Sequence, residues 1–262
     1  AGYVQLFEAN LQQTQLLQTG QQLHIYGDLR WRQTAINSAN YQQLELGALW
    51  LAHHWRGRTW WNVHLQEIVG QPWYRSVRAG WTQEFNTEAL ETEGPLLWSV
   101  YFKACRPRVG WEVEKRDYLQ TATLNSVFGG INAALHCERT VQESWQLALR
   151  LGQDVADDAQ RPGGNQVRGD VRLFWRKPLG RGQFQTDLNY SWQQDQRGYS
   201  PLLQQNARRR QTRVGARFEY VYPLSVPAWE WVSSWEMNRQ FSNLPLFKTE
   251  TQAIYSGWRY HW

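Results

Sequence analysis

The sequence predicts an all-β protein, a transmembrane antiparallel up-and-down β-barrel of about fourteen strands. Three observations predict this fold. Apolar and polar residues alternate with a period of two along most of the chain, as successive side chains of a strand do. Aromatic residues make up 15% of the 262 residues, which fits the interfacial girdles of such barrels. The chain also ends on alternating aromatic residues, Tyr260 and Trp262.

The second predicted strand shows the alternation clearly. Leu23, Ile25 and Leu29 fall on one face, while Asp28 and Arg30 fall on the other. The same division recurs along the chain, and we predict strands at positions that are reliable to a few residues, with a total between 12 and 16. An even number is expected if both chain ends lie in the periplasm. The predicted strands lie near 3–12, 22–34, 42–54, 59–69, 75–86, 95–105, 108–117, 126–138, 143–152, 166–176, 183–193, 212–222, 229–238 and 252–262.

The connections between these strands differ in length on the two sides. Turns expected on the periplasmic side are short, as at 106–107, 177–182 and 223–227. Most of the others are longer, as expected for loops on the cell surface. The predicted loops lie at 13–21, 87–94, 118–125, 153–165, 194–211 and 239–251, with a short exception at 55–58.

Composition excludes a helical membrane protein. The mean hydropathy is −0.68, and no run approaches the roughly 20 apolar residues that a spanning helix needs. A barrel of fourteen strands would have a lumen too wide for side chains to fill, so its apolar face is expected to point outward into lipid. A soluble, aromatic-rich sandwich or lectin is the alternative. The whole of 1–262 is expected to be one barrel domain.

The charge is not arranged for nucleic-acid binding. The net charge is +5 and the pI about 9.3, but positive and negative residues alternate, and no nucleic-acid-binding signature is present. We therefore expect no nucleic-acid partner. Cys105 and Cys137 lack the spacing of a zinc site or a redox pair, and no metal or cofactor is expected. In our predicted register they fall on opposite faces two strands apart, which argues against a disulfide.

The polar face of the predicted barrel carries both signs of charge. Mixed signs favour cross-strand bracing, while the excess of arginine favours an anionic or zwitterionic cargo; both interpretations remain open. The candidate lumen residues are Arg30, Arg32, Arg78, Arg150, Arg168, Arg172, Arg176, Arg213, Arg217, Arg259, Glu84, Asp170, Asp187 and Glu219.

No catalytic residues are predicted. A lipase needs a serine activated by a histidine, and the neighbouring His53, His54 and His64 have no serine near them in our strand map. We therefore expect a protein that is not an enzyme. A hydrolase embedded in the barrel, or an adhesin, remains an alternative.

The C-terminal strand resembles the signal by which the barrel assembly machinery recognises its clients. Gly257, Tyr260 and Trp262 have the corresponding spacing. The resemblance implies a protein of the bacterial outer membrane, with membrane lipid and the assembly machinery as partners and with both termini in the periplasm. The chain starts at Ala1 without Met, and we interpret it as a mature protein or an excised domain.

A second resemblance covers the last quarter of the chain. The segments Tyr199-Ser200-Pro201-Leu202-Leu203, Ala207-Arg208-Arg209-Arg210 and Phe241-Ser242-Asn243-Leu244-Pro245-Leu246-Phe247 resemble the C-terminal barrels of export proteins that carry periplasmic tetratricopeptide repeats. The surface lipoprotein assembly modifier family (Slam) is the most similar, and exopolysaccharide exporters have similar barrels. The resemblance implies translocation of a lipoprotein or polymer to the cell surface without chemistry, with a possible periplasmic repeat domain. A passive diffusion channel is the alternative.

Overall fold

The fold is given by a computed structural model. It describes residues 4–18, 20–34, 41–54, 57–69, 74–85, 105–140, 142–226 and 228–260. Among these residues, no helix is long and apolar enough to cross a membrane. The only helical segments in the described ranges are two short 3-10 turns, Ala122–Leu124 and Pro245–Phe247.

The described residues form thirteen strands in one antiparallel sheet, and the strands follow one another in chain order. The all-β prediction is confirmed. Within these residues the sheet is open, with β1 and β13 as its edge strands. The strands are β1 Val4–Gln18, β2 Gln21–Thr34, β3 Tyr41–His54, β4 Gly57–Val69, β5 Tyr74–Phe85, β6 Cys105–Tyr118, β7 Ser126–Thr140, β8 Glu143–Ala156, β9 Gln166–Leu179, β10 Gly182–Asp195, β11 Arg210–Pro223, β12 Trp229–Ser242 and β13 Thr249–Tyr260.

Thirteen of the fourteen predicted strands correspond to observed ones. The remaining prediction, 95–105, lies outside the described residues except for Cys105, as does the predicted loop 87–94. The predicted turn at 106–107 is wrong, because β6 continues through Pro107. The predicted loop 13–21 is also wrong, since β1 extends to Gln18 and pairs directly with β2.

A third prediction, which concerns the two cysteines, is also wrong. Cys105 and Cys137 form a disulfide, and their Cα atoms lie 3.9 Å apart. The sequence pattern predicts a turn at Pro107 and so places Cys105 at the end of one strand and Cys137 two strands further on. With the strand continuing through Pro107, Cys105 begins β6 and Cys137 lies on the next strand of the sheet, β7.

The chain divides into two compact units by its internal contacts. The first contains β1 to β5 together with residues 109–131 and 152–165. The second contains residues 132–151 and 166–260 together with the start of β6. In the second unit, Gly180 and Arg181 alone join β9 to β10, whereas residues 196–209 join β10 to β11.

Burial of the strand faces is inverted relative to a soluble protein. On β8, Leu149, Leu151 and Val155 are 44%, 51% and 46% exposed, whereas the alternate residues Ser144 and Asp154 are buried. The described residues as a whole bury thirteen polar or charged side chains and six apolar ones, two of which are the disulfide cysteines. Soluble proteins bury mainly apolar side chains and leave charged ones exposed. In this sheet the polar face is the more enclosed one.

Candidate functional site: an arginine-lined cavity on the polar face

One cavity gathers four of the predicted lumen residues. It has a volume of about 260 Å³ and lies within the second unit. Arg150 comes from β8, Arg168 and Asp170 from β9, and Arg213 from β11. The alternation of the strands places these side chains on the polar face. The other lining residues are Ser191, Trp192, Gln193, Gln211 and Gln240.

The strand register explains why these residues meet. Asp170 lies directly opposite Ser191 of β10, which in turn lies opposite Arg213 of β11. Arg213 then lies opposite Gln240 of β12. Since side chains directly opposite each other on one face are close neighbours, this row crosses four strands.

A second row runs beside the first, two residues along each strand. Arg168 of β9 lies opposite Gln193 of β10, and Gln193 lies opposite Gln211 of β11. The two rows together make a polar wall of charged residues, amides and one hydroxyl. The sequence pattern placed the charged members on this face but missed the amides, because glutamine at an alternate position gives no signal stronger than that of any solvent-facing residue.

Two of the arginines are held in place by glutamine. Arg168 donates to the side-chain oxygen of Gln166 at 2.7 Å from Nη2, and Arg213 donates to that of Gln240 at 2.7 Å from Nη2. Each of these amides orients the guanidinium group that donates to it. Arg213 is exposed, while Arg150 and Arg168 are half-buried, so the cavity can be reached from solvent.

Other predicted lumen residues form ion pairs. Arg172 donates to Asp187 at 2.9 Å from Nε, and Glu219 binds both Arg217 and Arg259, the latter at 3.3 Å. These pairs match the bracing interpretation. An exposed pair such as Arg172–Asp187 contributes about 0–1 kcal/mol, whereas the Glu219 carboxylate is buried.

The remaining predicted residues are not among those that line the cavity. Arg30 lies 3.2 Å from Asp28 on β2, and Glu84 accepts a hydrogen bond from Arg58 at 2.8 Å. Arg78 lies opposite His64, and Arg176 lies opposite Gln185. Arg32 belongs to β2, but its side chain lies outside the described residues.

The predicted assembly signal is described only in part. Gly257 lies opposite Val232, and Tyr260 lies opposite Trp229. The side chain of Tyr260 and the whole of Trp262 fall outside the described residues.

The loop between β10 and β11 is joined to the loop between β12 and β13. The cluster that joins them, which we call the loop clamp, consists of Asp195, Tyr199, Arg209, Asn243 and Phe247. Arg209 donates to Asp195 at 3.1 and 3.2 Å. Its guanidinium carbon lies 4.6 Å from the ring centre of Tyr199 and 4.9 Å from that of Phe247. Asn243 accepts from the backbone N–H of Arg210 and donates to the carbonyl of Arg208. The clamp therefore ties 243–248 to the long 196–209 loop.

The first unit has a separate buried charge network. Asp154, whose side chain is fully buried, accepts from Arg161 at 2.6 Å and lies 3.4 Å from Arg116. Arg116 also donates to Glu114 at 2.5 Å. Two positive and two negative groups compensate one another, which is how buried charges are tolerated. We interpret this network as structural.

His64 of β4 faces a carboxylate on the neighbouring strand β3. It lies 2.9 Å from Glu45, while His54 contacts Thr59 and Gln83 at 3.1 Å each. Within the described part of the chain, no group of three or more His, Cys, Asp or Glu residues could hold a metal ion.

No protein-family model matches the sequence, and a search of curated proteins finds no match either.

Proposed function

We propose that the chain forms a β-barrel in the bacterial outer membrane and exports a cargo to the cell surface along its polar face. The observation that carries this proposal is the inverted burial of the strands. In water the exposed stripe of Leu149, Leu151 and Val155 would be an association surface. In a bilayer the same stripe faces hydrocarbon, and the alternate polar residues face a lumen.

A row of aromatic rings on the other face supports the same placement. Trp175, Phe184, Phe218 and Trp235 come from four successive strands, and neighbouring rings are 6.3, 6.2 and 5.6 Å apart between centroids. Aromatic residues are enriched at the interfaces of membrane barrels. Closure of the sheet belongs to this proposal too, since an unpaired strand edge is not tolerated in hydrocarbon.

Cargo export is favoured by the arginine-lined cavity and by the loop clamp. The cavity offers a polar site to a passing group, and the clamp holds two loops at one end of the strands of the second unit. In the proposed barrel these would be surface loops, and both termini would be periplasmic. The barrel would use no catalytic residue and no cofactor.

A passive diffusion channel is the second candidate. The pairs Arg172–Asp187 and Glu219–Arg259 place both signs on one face, and pores with a strong preference for one ion sign use rings of one charge. Mixed charge therefore suits a weakly selective pore as well as an export path.

Two measurements test the proposal. The chain is expressed with an export signal and a tag after Gln205 in a Gram-negative host, and membranes are separated on a density gradient. We expect recovery with the outer membrane and labelling of the tag on intact cells. Recovery in the soluble fraction would refute the membrane placement. In planar bilayers, a constant large conductance combined with normal surface delivery in a deletion strain would favour the passive channel over export.

A further inference from the structure

The charge of the cavity identifies a class of ligand. Arg150, Arg168 and Arg213 supply three positive charges and Asp170 supplies one negative charge, so the lining has a formal excess of two positive charges. A phosphate ester carries about 1.5 to 2 negative charges at neutral pH, whereas a carboxylate carries one. The lining therefore matches a phosphate group better than a carboxylate.

The rest of the lining is suited to hydroxyl groups. Ser191, Gln193 and Gln211 lie in the two rows that carry the charged residues, and a serine hydroxyl or a glutamine amide can both donate and accept. Asp170 can accept from a sugar hydroxyl. Trp192 is the single apolar residue of the nine that line the cavity, and strand alternation places its side chain on the face opposite to Ser191 and Gln193. The polar face therefore offers no apolar side chain here to a lipid acyl chain.

The size of the cavity sets a limit on the ligand. A volume of about 260 Å³ lies just below the 300–1,000 Å³ of typical small-molecule sites. One sugar unit with a phosphate monoester is an appropriate occupant.

We propose that this cavity binds the phosphate group and hydroxyls of a sugar phosphate whose phosphate is a monoester. The guanidinium groups bind the phosphate oxygens, since the planar fork of arginine matches them geometrically. The proposal deepens the proposed function and rests on it, because it takes the polar face of β8 to β12 as the path of the cargo.

Calorimetric titration of the detergent-solubilised full chain tests the site. Glucose 6-phosphate is the probe, and glucose and inorganic phosphate are the comparisons. We expect glucose 6-phosphate to bind about tenfold or more tightly than glucose, because charge-assisted hydrogen bonds to phosphate are lost with glucose. Inorganic phosphate should bind more weakly than glucose 6-phosphate. Equal affinity for glucose 6-phosphate and inorganic phosphate would overturn the sugar assignment. If neither of these two compounds binds, the site itself is overturned.

A matched pair of variants locates the binding. Arg213→Gln removes a cavity charge, whereas Arg217→Gln removes the same charge from the same face of β11, four residues away. Glu219 keeps Arg259 as a partner in the second variant. We expect about a tenfold loss of glucose 6-phosphate affinity in the first variant and little change in the second. Equal losses, or wild-type binding by Arg213→Gln, would overturn the site. Arg168→Gln provides the same test if Arg213→Gln does not fold.

The outcome is separable from that of the proposed function, because binding in detergent requires neither a bilayer nor transport. A protein that binds glucose 6-phosphate but stays out of the outer membrane refutes the proposed function. A membrane protein that exports cargo without binding the probe refutes the cavity assignment.

Discussion

Arg209 donates two hydrogen bonds to Asp195, whose side chain is fully buried, and so closes the base of the 196–209 loop. The pair joins the last residue of β10 to the residue before β11. The rings of Tyr199 and Phe247, whose centroids lie 4.9 Å apart, both contact the guanidinium group and limit its access to water. A charge that is buried in this way needs its partner.

Removing Arg209 is expected to destabilise this loop. Arg209→Ala leaves the Asp195 carboxylate buried without its main partner and should cost about 3–5 kcal/mol. Arg208→Ala removes a neighbouring exposed arginine and should change stability by less than about 0.5 kcal/mol. Urea unfolding in detergent and limited proteolysis of the loop measure the difference. Similar behaviour of the two variants would show that the clamp contributes nothing.

A change of charge is expected to affect folding much more on the apolar face of β9 than on its polar face. Leu173→Arg places a charge on the apolar face, at a cost of roughly 2–4 kcal/mol if the residue lies near the middle of a bilayer. Arg172→Leu breaks the exposed pair with Asp187, at a cost of about 0–1 kcal/mol. Folding yield in lipid vesicles should fall in the first variant and survive in the second. Equal damage would contradict the outward placement of the apolar face.

Phe218 occupies the middle of the aromatic row, in contact with Phe184 and Trp235. Phe218→Ala removes two ring contacts of about 0.5–1.5 kcal/mol each and should lower the free energy of unfolding by about 1–3 kcal/mol. Phe218→Leu keeps much of the apolar surface and should lose about half as much. The measurement is equilibrium unfolding in detergent, and identical losses would show that ring geometry has no role.

The disulfide is expected to contribute measurable stability. Cys105→Ala combined with Cys137→Ala should lower the free energy of unfolding by about 3–4 kcal/mol, since the bond closes a loop with a sequence separation of 32 residues and so restricts the unfolded chain. Dithiothreitol should reduce the stability of the wild type by a similar amount and leave the double variant unchanged. A reductant effect on the double variant would mean that another group is responsible.

The terminal strand tests the predicted assembly signal. Changing Tyr260 and Trp262 to Ala removes apolar surface worth a few kcal/mol by area (~25 cal/mol per Å²). We expect assembly in cells to fail more severely than refolding in detergent, because only the cellular route depends on recognition. Surface labelling of a tag after Gln205 measures the first, and circular dichroism measures the second. Normal surface levels of the variant would contradict the role given to these residues.

Much of the sheet was predictable because period-two alternation is a local property. The strand around Val171 and Leu173 shows it directly in the sequence. Pro107 misled the strand map because proline usually ends or interrupts a strand, and that single error moved Cys105 two strands away from Cys137. Alternation places an arginine on a face but does not say which partners surround it. Arg213 reaches the cavity, and Arg259 of β13 reaches Glu219 of β11, because of how the strands are staggered. Stagger is a long-range property that the alternation pattern does not contain.

The bond between Cys105 and Cys137 also makes the β6–β7 hairpin a closed covalent ring. A protease that cuts once in the connection between these strands, residues 119–125, opens the ring but leaves both pieces attached to each other. Such a cut would be invisible on a non-reducing gel and would appear as two fragments after reduction. Reduction of the ring therefore reports cleavage. If the chain forms the proposed outer-membrane barrel, protease added to intact cells would show whether this connection lies at the cell surface.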